Sequence, residues 1–127
     1  MRAESQAARY IPDTPIAKLA QWLAVPVEPA RFPRAELRWR NACWDRAVGL
    51  DGLDEQQWLA HFARFEPLEG NLPQPLALKY HGHQFRVYNP ELGDGRGFTF
   101  AQMREAGSDR LLDLGTKGSG QTPYSRF

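Results

Sequence analysis

Two different apolar periods divide this chain, and the division commits it to an α+β fold. Up to Pro67 the apolar residues recur at helical spacing, whereas after Gly93 they alternate. Thr14 followed by Pro15 reads as an N-cap with proline at the first helical position. Ile16, Leu19, Ala20 and Leu23 then share a face, which predicts a helix over 15–24. Pro26, Pro29 and Pro33 punctuate the next stretch. Leu37, Asn41, Trp44 and Val48 mark one face of a second helix, closed by Gly49 and basic on its other side. Asp54 can cap a third, with Trp58, Leu59, Phe62 and Phe65 as its stripe before Pro67 breaks the pattern.

From Leu76 the texture changes. The segment L-A-L-K-Y-H-G-H-Q-F leads into the glycine-rich run L-G-D-G-R-G, and strands are expected after it. Phe98, Phe100 and Gln102 share one parity over 97–105, A-G-S-D supplies a turn, and Leu112, Leu114 and Thr116 alternate again. This predicts a hairpin ending at Lys117. The expected organisation is a helical segment over 1–74 and a glycine-loop and hairpin segment over 75–127, closing on a polar loop of a kind that seldom ends a natural domain.

With 127 residues and a hydrophobic fraction of 42%, the chain can bury a modest core, as one small domain or part of a larger one. Sixteen Lys and Arg against fifteen Asp and Glu leave a net charge of +1, too little to gather nucleic acid or an anionic membrane, so any anion site must be local. Cys43 is the only cysteine. It excludes an internal disulfide and a multi-cysteine zinc site, suits a reducing compartment, and is expected half-buried on a helix. The start, M-R-A-E-S-Q-A-A-R-Y, lacks the apolar core of a secretory signal, and no stretch approaches the roughly 18 apolar residues of a membrane span. A cytoplasmic location is expected.

Gly93, Gly95 and Gly97 alternate with Asp94 and Arg96 just before a strand, where successive backbone N–H groups can turn toward phosphate oxygens and Arg96 can add a bidentate contact. A tight turn before an edge strand is the competing explanation. Phe98 stands where the template G-x-G-x-x-G requires its third glycine. Lys117 closes a strand beside the flexible run G-S-G, a suitable place to meet a phosphate, although a solvated strand-end lysine is the alternative. It is not a Walker lysine, because Gly118 rather than Ser or Thr follows it.

His81 and His83 share a face if their segment is a strand, but His61 lies on a separate helix, so a buried hydrogen-bonding role beside Tyr80, Gln84 and Phe85 is expected rather than metal ligation. Arg31, Arg34, Arg38, Arg40 and Arg46 interleave with Trp39 and Trp44. Glu36 and Asp45 dilute the patch, so a solvated helix face with tryptophans anchoring the core is expected, not a nucleic-acid surface.

Taken together, L-A-L-K-Y-H-G-H-Q-F, N-P-E-L-G-D-G-R-G-F and D-L-G-T-K-G-S-G-Q-T-P-Y-S-R-F resemble the selenoprotein O (SelO, YdiU) family, firmly over 75–127 and more loosely before it. The resemblance implies a protein-kinase-like fold, here the first strands of its N-lobe, that binds ATP in an inverted orientation. It implies transfer of AMP to Ser, Thr or Tyr hydroxyls of proteins with Mg²⁺ or Mn²⁺. Gly93, Gly95 and Arg96 match the family's glycine-loop positions at the nucleotide, and Lys117 matches its phosphate-contacting lysine. Arg86 occupies a position that is usually glycine. The family's catalytic aspartate and metal-binding residues would follow Phe127, so the chain is expected to be an N-terminal piece, inactive alone. The alternative is a non-catalytic module that binds nucleotide or a partner.

Overall fold

A computed structural model describes residues 9–125; the expectations for the N-terminal residues 1–8 and for the end of the polar loop at 126–127 lie outside them. The elements are α1 Ile16–Leu23, β1 Ala24–Pro26, α2 Ala42–Ala47, α3 Glu55–Phe62, β2 Leu76–Gln84, β3 Val87–Gly93, β4 Gly97–Arg104 and β5 Leu111–Lys117. The fold is α+β with an antiparallel sheet in the order β1-β2-β4-β5, and β3 pairs with β2 off that path. No helix among the described residues is long and apolar enough to cross a membrane.

Helix α1 starts where Thr14 and Pro15 carbonyls accept from the amides of Ala17 (3.0 Å) and Lys18 (3.1 Å). The expected Thr14 side-chain cap is not formed. Instead Gln102 reaches from β4 and its Oε1 accepts from the Ile16 amide at 3.0 Å. The helix also stops one residue short of its predicted end, because Ala24 is extended and pairs with Leu78 of β2. Backbone pairing with an existing strand replaces the next helical turn, so the N-terminal segment contributes a strand to the sheet. Ile16 and Ala20 pack toward Ala24, Leu72 and Leu76, whereas Leu19, Trp22 and Leu23 remain exposed.

The second helix is shorter than its periodicity predicts, running over α2 only. Asn41 is its cap, accepting from the Trp44 amide at 3.2 Å, rather than a member of its apolar face. Gly49 follows at φ +77°, and a Cβ there would lie 2.1 Å from the Tyr10 nitrogen, so both backbone sign and space require glycine. The tryptophans do not anchor the core: Trp39 is 75% exposed and Trp44 is 49% exposed. Cys43, expected half-buried, is exposed as well.

Arg40 takes the anchoring role. Its guanidinium donates to Asp45 Oδ2 (2.9 Å) and to the Leu53 and Leu50 carbonyls (2.8 and 3.2 Å), and it lies 4.1 Å from the centre of the Trp58 ring. The predicted solvated arginine face is therefore broken at this residue.

Helix α3 has the expected Asp54 cap, here a full capping box with Gln57. Trp58 and Phe62 pack against a core of Val48, Leu50, Phe65, Leu68, Phe100, Ala101 and Met103. Phe65 lies beyond the helix end at φ +60° and is buried against Phe98 and Phe100.

Strands begin earlier than expected. Residues of β2 and β3 form a hairpin whose two-residue turn, Phe85 and Arg86, has φ of +55° and +68°, the left-handed pair that a tight hairpin turn demands. Most of this hairpin is exposed beyond Leu78, so it carries no alternating pattern to read. His81 and His83 both contact the Tyr88 ring, and His81 Nδ1 is 2.6 Å from its hydroxyl. They share a face, as a strand requires, but both are exposed rather than buried.

The predicted β4–β5 hairpin is present, with Gly97 opposite Lys117. A bulge between Thr99 and Ala101 breaks its parity: Ala101 and Met103 join Phe100 in the core, while Phe98 packs with Val27 and Ala77. Gln102 is thereby buried among polar partners. Its amide donates to Asn71 Oδ1 (2.9 Å), its carbonyl accepts from Asn71 Nδ2 (2.7 Å), and its side chain donates to Asp113 (2.6 Å).

Candidate functional site

The glycine run lies between the ends of two hairpins, and all three of its carbonyls that could be read from the sequence as loop are tied down. Asp94 fixes the loop to β2, donating its amide to the Leu78 carbonyl (2.9 Å) and accepting from the Leu78 amide on Oδ2 (3.0 Å). The Asp94 carbonyl accepts from the Thr122 hydroxyl, the Gly95 carbonyl from the Ser125 hydroxyl (2.7 Å), and the Arg96 carbonyl from the Gly118 amide (2.8 Å). Among the described residues, the amides of Gly95 and Arg96 find no acceptor.

The glycines serve close approach rather than left-handed backbone. None of Gly93, Gly95 and Gly97 has positive φ. A Cβ on Gly93 would lie 2.4 Å from the Tyr124 ring, and one on Gly97 would lie 1.9 Å from the Thr116 carbonyl. The run is thus a tight connection between strands and also a surface on which residues 122–125 pack.

Gly95, Arg96 and Lys117 line one cleft of about 410 Å³ together with Leu78, Tyr80 and Asp94. Gly93 is not part of it. It lines a second cleft of about 560 Å³ with Pro123, Tyr124 and Ser125, and Gly95 and Arg96 border that cleft too. Arg96 and Lys117 are both exposed, and among the described residues neither makes an ion pair. Two cations and two amides without acceptors among the described residues, beside one opening, suit a polyanion.

The run after Lys117 is less free than its composition suggests. Gly118 and Gly120 have φ of +70° and +140°, but Ser119 between them is 2% exposed, donates to Thr116 Oγ1 (2.6 Å), and its carbonyl accepts from the Ala30 amide (2.7 Å). Lys117 therefore projects from a strand whose end is held.

Residues 7–127 match the family described as Protein adenylyltransferase SelO. The chain belongs to the SelO family. It is 47% identical over 115 residues to a protein nucleotidyltransferase YdiU of Synechococcus elongatus, covering 87% of this chain and 22% of that relative. A protein nucleotidyltransferase YdiU of Trichormus variabilis is 50% identical over 103 residues, covering 79% and 20%. One from Aeromonas salmonicida is 40% identical over 106 residues, covering 84% and 22%. The chain spans about a fifth of the length of these SelO relatives.

Sequence reasoning singled out Gly93, Gly95, Arg96 and Lys117 but not the residues that hold the loop: Asp94, Thr122, Tyr124 and Ser125. The segment T-P-Y-S does carry a turn signature, since Pro with flanking Ser and Thr favours local side-chain to backbone bonds. Its target could not be read, because the Ser125 to Gly95 contact bridges a separation of 30 residues.

Proposed function

We propose that this chain forms the phosphate-holding part of a protein adenylyltransferase, in which ATP donates AMP to Ser, Thr or Tyr hydroxyls of protein substrates. The observation that supports this reading is the cleft shared by Gly95, Arg96 and Lys117, where two cations without ion-pair partners among the described residues lie beside two amides without acceptors. In this reading the glycine loop and the two hairpins are the first strands of a protein-kinase-like lobe holding ATP in an inverted orientation, in a cytoplasmic protein. Arg96 and Lys117 neutralise phosphate charge, the Gly95 and Arg96 amides donate to phosphate oxygens, and Gly93 lets the Tyr124 segment close the back of the loop.

A divalent cation, Mg²⁺ or Mn²⁺, would offset further phosphate charge in such a transfer. The described residues assemble no full ligand set for it: no three His, Cys, Asp or Glu side chains among them are grouped to hold a metal, and Asp94 is the one carboxylate lining this cleft. The role proposed for these residues therefore stops at binding and orienting the phosphates.

Titration of the chain with ATP tests the reading. Loss of a charge-assisted contact costs about 1.5 to 3 kcal/mol, so Arg96→Ala and Lys117→Ala should each weaken binding about 10- to 150-fold. Unchanged affinity in both variants would remove the two cations from the nucleotide site. In parallel, incubation with labelled ATP is expected to leave no AMP on protein when this chain is the only enzyme present, and robust labelling would show that transfer needs nothing beyond it.

A further inference from the structure

The segment 122–125 lies across the glycine loop, and its two hydroxyls have their proton directions settled by their own neighbours. Thr122 Oγ1 accepts from the Tyr124 amide at 3.0 Å and donates to the Asp94 carbonyl. Ser125 Oγ accepts from the Thr122 amide at 2.8 Å and donates to the Gly95 carbonyl at 2.7 Å. Each hydroxyl has one proton, and here that proton goes to a loop carbonyl.

The consequence runs through peptide geometry. There is no cis peptide bond in the described chain, and in a trans peptide the C=O and the following N–H point in opposite directions. Holding the Asp94 carbonyl toward Thr122 turns the Gly95 N–H away from the 122–125 segment, and holding the Gly95 carbonyl toward Ser125 does the same for the Arg96 N–H. Two successive amides are thereby aimed away from 122–125, and of the two clefts that Gly95 and Arg96 border, the one with Lys117 is lined by no residue of that segment whereas the other holds Pro123, Tyr124 and Ser125. A glycine-rich loop without this restraint could rotate both peptide planes and present carbonyls to an anion instead.

We infer that Thr122 and Ser125 are positioning residues for the phosphate site, setting the peptide planes of the loop so that the Gly95 and Arg96 amides face the bound polyphosphate. They touch no ligand themselves. This rests on the nucleotide reading above, and it adds that the loop's donor geometry is imposed from the segment after Lys117 rather than by the glycines. Substituents on either hydroxyl would release the carbonyls and weaken the same site.

The test uses the isotopically labelled chain and inorganic triphosphate, which isolates the phosphate contacts from those of base and ribose. On adding triphosphate, the amide resonances of Gly95 and Arg96 are expected to move most. A double variant, Thr122→Val with Ser125→Ala, should lose those two shifts and bind about tenfold more weakly. The double variant Thr122→Ser with Ser125→Thr, which keeps both hydroxyls, should restore them; a segment that only stabilised the fold would not single out these two amides.

If Arg96→Ala weakens binding while the hydroxyl-free variant binds like the parent with the same shifts, the positioning role is wrong and the nucleotide reading stands. If the hydroxyl-free variant loses the shifts but Arg96→Ala and Lys117→Ala change nothing, the positioning role stands and the two cations leave the site. Absence of any triphosphate-dependent shift in the parent chain overturns both. Should the double variant lose its dispersed spectrum, Ser125→Ala alone decides: an unchanged Arg96 amide shift overturns the inference.

Discussion

Replacing Arg40 tests how the helical half is fastened to itself. The side chain is 20% exposed and that of its partner Asp45 is 9% exposed, so the pair is screened far less than a surface bridge. Arg40→Ala leaves the Asp45 carboxylate buried without its cation, a change that typically costs about 3 to 5 kcal/mol. It also strips the Leu50 and Leu53 carbonyls of a donor and Trp58 of a cation at 4.1 Å, worth about 1 kcal/mol more at a partly shielded site. These losses share one side chain and are not additive, and water can reach the half-buried Leu53 carbonyl, so the expected total is about 3 to 4 kcal/mol. Arg40→Lys keeps the charge but cannot span all three acceptors, and should cost about 2 kcal/mol. Urea unfolding followed by tryptophan fluorescence measures both, with the denaturant slope checking that the transition itself is unchanged. A double-mutant cycle with Asp45→Ala should give a coupling of about 2 kcal/mol. An Arg40→Ala cost below about 1 kcal/mol, or full additivity with Asp45→Ala, would refute this account of the cluster.

At the β2–β3 turn, Arg86 has φ +68°, so Arg86→Gly should raise stability by about 0.5 to 1 kcal/mol, the relief of left-handed strain less the greater freedom of glycine when unfolded. A lowered urea midpoint in this variant would show that the Arg86 side chain contributes more than its backbone costs. Glu105 is held below the ordinary carboxylate range by hydrogen bonds from Ser108 and then Arg110. Because its folded value is depressed, the stability it contributes is present above its unfolded value and is lost as pH falls through the folded one. Glu105→Gln should therefore flatten the acid side of the pH–stability curve, and an identical acid limb in parent and variant would count against the assignment.

What local chemistry decides was legible in the amino-acid sequence. The capping box at Asp54 and the hairpin ending at Lys117 depend on residues within a few positions of one another, and both are present. The membership of the SelO family was legible for a similar reason: three short blocks carry it. Position along the chain also singled out Gly95, Arg96 and Lys117, which the fold brings to one cleft.

Tertiary structure decided whatever depends on partners distant in sequence. The start of α1 is capped by Gln102, 86 residues away, and α1 ends where β2 offers Ala24 a ladder partner. One bulge at Phe100 transferred the apolar face of β4 to the other parity and left Gln102 in a polar network, a one-residue shift that no count of alternating residues contains. Arg40 is indistinguishable in composition from its exposed neighbours Arg34 and Arg38, and only the placement of Asp45 and Trp58 around it turns a cation into an anchor. The direction of the Gly95 and Arg96 amides has the same origin: a peptide plane is free to rotate until something holds its carbonyl, and here the holding hydroxyls arrive from about 30 residues downstream.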